Sequence, residues 1–91
     1  MSVTLQSVPA LRRGVRRQFD TARNAPVLMA PERVVMLDDI ADAIIAECDG
    51  KRSAGEIATR LAARFSAPEA DVLVDVLAFL EELSEASLVA L

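Results

Sequence analysis

The stretch Arg33–Gly50, RVVMLDDIADAIIAECDG, constrains what this chain can fold into more than any other. Its apolar run Val34-Val35-Met36-Leu37 passes almost without a loop into a helical pattern. There Ile40, Ala41, Ile44, Ile45 and Cys48 recur at helix spacing. The run is too short and too β-branched to be a helix of its own, so it reads as a strand. Asp38 or Asp39 caps the helix that follows, and Asp49-Gly50 stops it. What the strand pairs with then decides what the protein does.

Upstream, Val15–Phe19 alternates as a half-buried strand, imperfectly, because Arg17 falls on the apolar side. Asp20-Thr-Ala-Arg-Asn24 has turn chemistry. Val27-Leu28-Met29 reads as a second strand, and Pro26 and Pro31 at its ends confine it to an edge-like or very short element. With Arg33–Leu37 as the third, the strands suggest a small antiparallel sheet with one face to cover. Residues 1–10 are polar and mixed, with Pro9 near their end, and read as a flexible arm.

The cover comes from the second half. Ser53-Ala-Gly-Glu56 is a capping box that opens a helix with the stripe Ile57, Ala58, Leu61, Ala62 and Phe65. Ser66-Ala-Pro-Glu69 repeats the box, and a third helix is predicted from about Pro68 to about Glu85, with Leu88–Leu91 as a short tail. Asp71, Asp75, Ala78, Glu82 and Glu85 give this helix a narrow polar face. Its apolar arc is wider than one packing contact needs, so two contacts are expected. Leu73, Val76, Leu77 and Leu80 fit the core, and Val72, Phe79 and Leu83 flank it. The predicted architecture is α+β: a three-stranded antiparallel sheet followed by three helices, winged helix-turn-helix-like, in a single domain over residues 1–91.

Composition removes most chemistry. The chain has no histidine, so the commonest general base and metal ligand is missing. Its 3 glycines form no phosphate loop. No catalytic residue, cofactor or metal site is expected. Asp38-Asp39 is a paired carboxylate, but at a helix start its role is capping. Cys48 is the single cysteine, excludes an intrachain disulfide, and reads as a small buried hydrophobe in a reducing compartment. No run approaches the ~20 apolar residues of a membrane span, and no secretory signal is evident, so the expected location is cytoplasmic.

Charge is unevenly placed. The net charge is -4, yet Arg12, Arg13, Arg16, Arg17 and Arg23 stand near the front, whereas residues 67–91 hold acids and no base. A winged-helix DNA-binding regulator is the alternative reading. Against it, the third helix offers only acids where a recognition helix needs Arg, Lys, Asn or Gln. A structural subunit of a larger enzyme is a further possibility.

An ordered set of motifs carries a resemblance. Leu11-Arg-Arg-Gly-Val-Arg16, Phe19-Asp20, Val27-Leu-Met-Ala-Pro-Glu-Arg-Val34, Leu37-Asp38 with Ala41, Cys48-Asp-Gly50 and Val76-Leu-Ala-Phe-Leu-Glu-Glu-Leu83 resemble the PqqD family, over nearly the whole chain. The sequence departs from the family pattern at Pro26, often tryptophan there, and at Arg17, often a hydrophobe; both changes are expected to loosen the first two strands. The resemblance implies a non-catalytic peptide chaperone of pyrroloquinoline quinone biosynthesis, a RiPP precursor recognition element. It would bind the precursor peptide PqqA and present it to the radical S-adenosylmethionine enzyme PqqE. It also implies that the peptide adds as a strand in the groove between the third strand and third helix. On that reading Arg33, Val34, Val35, Met36 and Leu37 supply backbone pairing, with Arg33 adding charge, and Val72, Val76, Phe79 and Leu83 supply apolar contact. A free strand edge also invites self-association.

Overall fold

Leu28 is fully buried at the centre of a sheet whose other strands are laid on either side of it. In the computed structural model, which describes residues 3–91, β1 spans Ala10–Leu11, β2 Arg16–Asp20, β3 Ala25–Ala30 and β4 Arg33–Met36. Helices α1 (Asp39–Ala46), α2 (Ala54–Phe65) and α3 (Glu69–Glu85) follow, and β5 (Val89–Ala90) ends the order. The main sheet is antiparallel in the order β2-β3-β4, with Leu28 opposite Arg17 on one side and Val35 on the other. The expected sheet and three helices are therefore present.

The second strand corrects its prediction: it is neither edge-like nor very short, but the central strand, 6 residues long. Pro26 is tolerated because it lies beyond the last residue of β4, where the ladder asks for no donor. Its carbonyl still accepts from the Leu37 N–H at 3.1 Å. Arg17 does fall on the core face, at its rim, and its guanidinium forms a fork with the Asp42 carboxylate of α1. Both strands pair over their full length despite these two residues. The β2–β3 turn is held by the Asp20 carboxylate, which accepts from the N–H groups of Ala22 and Arg23 at 3.0 and 3.2 Å.

The flexible arm is also corrected. Its first two residues lie outside the described residues, but from Val3 onward the segment is packed. Val3 and Pro9 are buried, and the Val3 N–H donates to Glu81 Oε2 at 2.8 Å. The carbonyls of Ser7 and Leu5 accept from Ala54 and Gly55 at 2.7 and 2.8 Å, satisfying free amides in the first turn of α2. Gly55 permits this approach, since a Cβ there would lie 3.2 Å from the Leu5 carbonyl oxygen. The arm then ends in β1, which pairs with β5, so the supposed tail is a strand as well.

Helix boundaries follow the caps. Asp38 is the N-cap of α1, accepting from the Ala41 N–H at 2.7 Å. The helix ends at Ala46, before the expected stop; Gly50, at φ 76°, belongs to the following loop, where Asp49 bridges to Ala10. The Ser53–Glu56 capping box forms in full. The second box does not. Ser66 is used as the left-handed C-cap of α2, leaving Pro68 as an N-cap without a side-chain bond, and Glu69 reaches the Thr59 hydroxyl instead. Val76, Leu80 and Leu83 of α3 join Leu28, Leu37, Ile44, Ile57 and Leu61 in one core.

Two variants measure these contributions. Leu80→Ala should lower unfolding free energy by about 2–5 kcal/mol, since the buried site loses both transfer energy and packing. Ser53→Ala should cost about 1 kcal/mol by unmaking the box. Urea titration followed by circular dichroism checks both values.

Candidate functional site

β4 is an edge strand with β3 on one side only. In an antiparallel ladder, residues alternate between bonding the neighbour and turning both backbone groups away. The Leu37 N–H bonds inward, to Pro26. By that alternation Val35 and Arg33 also face β3, and Val34 and Met36 direct their N–H and C=O groups outward. Their side chains lie on the sheet face opposite Val35 and Leu37, and are 46% and 52% exposed.

Helix α3 is not packed closely against β4. Arg33, which begins β4, shares a cleft of about 720 Å³ with Ala86, just past α3. Asp38, just past β4, shares a cavity of about 290 Å³ with Ile40, Asp75 and Phe79. A neighbouring cavity of about 180 Å³ is lined by Ile40, Phe65, Asp71, Val72 and Val76, among others. The clefts thus lie at the two ends of β4 and along the Val72–Phe79 flank of α3.

Each residue expected in this site has a definite place. Arg33, Val34 and Met36 are exposed, Val35 is half-buried, and Leu37 is buried beneath the sheet. Phe79 and Val72 are half-buried, and each lines one of the two smaller cavities. Val76 and Leu83 are 0% and 3% exposed, so their side chains are core that holds α3 in position. Ile40 and Asp75, which line both smaller cavities, were missed. Ile40 stands in the helical stripe with Ile44, yet it is 42% exposed and lines open space instead of the core. Asp75 reads as one acid on a solvated face; the fold brings it into one cavity with Asp38.

No group of three or more metal-ligating side chains occurs among the described residues. Cys48 is buried and its thiol lies 3.3 Å from the Ile44 carbonyl oxygen. Burial, helped by Asp49 and Glu47, pushes that thiol up to about 12, far from a reactive thiolate. No helix among the described residues is long and apolar enough to cross a membrane.

This fold is shared with known proteins. A family model described as coenzyme PQQ synthesis protein D (PqqD) matches residues 26–89. A PqqA binding protein of Xanthomonas oryzae pv. oryzae is 48% identical over 90 residues, covering 99% of this chain and 98% of that protein. One from Bradyrhizobium diazoefficiens is 39% identical, covering 93% and 82%. The solution structure of the PqqD truncation of Methylobacterium extorquens PqqCD, described as a stand-alone RiPP recognition element, superposes with TM-score 0.86 at 37% identity, covering 99% of this chain and 96% of that one. A lasso peptide synthetase B1 shares the fold, with TM-score 0.77 at 18% identity over 93% of this chain and 100% of that one. The architecture is thus that of a RiPP recognition element, a non-catalytic class. The chain belongs to the PqqD family of coenzyme PQQ synthesis.

Cys48 gives a pH prediction. The folded thiol holds its proton to about 12 against an ordinary 9.0, so above pH 9 the unfolded chain binds fewer protons than the folded one. Its contribution is complete below pH 9 and is lost as pH rises toward 12. Cys48→Ala should therefore show a shallower loss of stability over that window in denaturant titrations. In the native protein a thiol-specific disulfide reagent should leave Cys48 unmodified near neutral pH, and denaturant should release it.

Proposed function

We propose that this chain is a cytoplasmic peptide chaperone that binds the precursor peptide PqqA by strand addition along β4 and presents it to PqqE. The observation that carries the reading is the outward-facing backbone of Val34 and Met36 beside the half-buried flank of α3. An extended peptide laid there bonds its own amides and carbonyls to those residues, which gives affinity without regard to sequence. Alternate side chains then supply specificity. One set faces Phe79 and Val72 in the groove, and the other meets Val34 and Met36 on the outer sheet face. The names of the relatives support the identity of the peptide. The family resemblance supports presentation to PqqE.

Titration of labelled protein with PqqA should move the amide resonances of Val34 and Met36 and those of α3 around Phe79. Shifts confined to the strap at residues 3–9 and to α2 would sink the groove assignment. Val34→Pro removes one outward donor at an edge position where no sheet bond is lost. It should weaken PqqA binding about tenfold, equivalent to ~1.4 kcal/mol, while the thermal melt is nearly preserved.

A further inference from the structure

The cleft at the Arg33 end of the groove is assembled from parts of the chain far apart in sequence. The Arg12 N–H donates to the Leu88 carbonyl at 3.0 Å, and the Val15 N–H closes a turn onto the Arg12 carbonyl at 3.0 Å. Gly14, at φ +82°, completes that turn against Pro31, whose Cγ would stand 3.4 Å from a Cβ at position 14. These backbone contacts bring Arg12 and Arg13 into the cleft of about 720 Å³ that Arg33 also lines. Glu32 is the one acid of its lining.

The charges there are unspent. Arg17, Arg23, Arg52 and Arg60 each pair with a carboxylate. Among the described residues, Arg12, Arg13 and Arg33 have neither an ion pair nor a side-chain hydrogen bond. The other end of the groove has the opposite sign, since Asp38, Asp71 and Asp75 line the two smaller cavities with no base among them. Three guanidinium groups against the single carboxylate of Glu32 leave an excess of positive charge in the cleft, which a bound anion offsets.

We infer that Arg12, Arg13 and Arg33 form an anionic subsite for acidic side chains flanking the strand-paired segment of the bound peptide. The inference rests on the strand-addition reading and deepens it: the groove selects the order of charges along the peptide as well as its strand pattern. Guanidinium forks suit this task because each can bond a carboxylate through two N–H groups.

The test is calorimetric titration of PqqA into Arg13→Glu, Arg33→Glu and the double variant, with Lys51→Glu as a control of equal charge change outside the cavities described above. Each cleft variant should weaken binding about tenfold and the control less than about twofold. PqqA with its acidic side chains converted to amides should bind the wild type more weakly and lose its sensitivity to the double variant. Binding by the double variant within about twofold of wild type overturns the subsite, as does an equal loss from Lys51→Glu. The Val34 and Met36 amides separate the two levels of the argument. If they shift in the wild type while the double variant binds normally, only the subsite is lost. If they do not shift in the wild type, strand addition falls and the subsite falls with it.

Discussion

Every peptide unit carries a donor and an acceptor that must be bonded to something, and in β4 half of them have only water. That demand is what the rest of the structure leaves in place. The sheet has a second edge, β2, whose first three residues are Arg16, Arg17 and Gln18; charged side chains discourage pairing with another strand there, beside the exposed Phe19. The β4 edge carries Val34, Val35 and Met36 in the corresponding place. One edge is blunted against association, and the other is apolar and open.

Helix α3 serves two surfaces. Val76, Leu80 and Leu83 bind it to the core, so its position does not depend on β4. This leaves Phe79 and Val72 on its flank, half-buried against the core yet still lining open space. On the strand-addition reading proposed above, such a wall is preformed, because buried side chains of α3 hold it against the core. Preformed walls reduce the ordering cost of binding.

Much of this was legible in the sequence, for local reasons. The Asp38 cap, the Ser53–Glu56 box and the Asp20 turn are satisfied within a few residues of themselves, and short-range chemistry is what sequence spacing encodes. Apolar periodicity likewise found the helices and identified α3 as too apolar for one contact. The misreadings share an opposite cause. Ser66 resembles a cap for α3, but the chain reaches it first as the end of α2. Pro26 resembles a strand terminator until the end of β4 is placed beside it. The segment at residues 3–9 looks loose because its partners, Glu81 and the first turn of α2, lie far along the chain. Val76 and Leu83 share an arc with Phe79, and periodicity alone does not tell the core side of a wide arc from the groove side.

The sequence by itself determined the helices, the Asp38 and Ser53–Glu56 caps, the lack of histidine, and the excess apolar arc of α3. Those properties depend on residues one helical turn or one strand apart, and on which side chains are present at all. Tertiary structure decided which strand became the open edge, which face of α3 joined the core, and how Arg12 and Arg13 came to line one cleft with Arg33. Those are juxtapositions of distant segments. They follow from strand order and from backbone bonds such as that between Arg12 and Leu88, which no local pattern specifies.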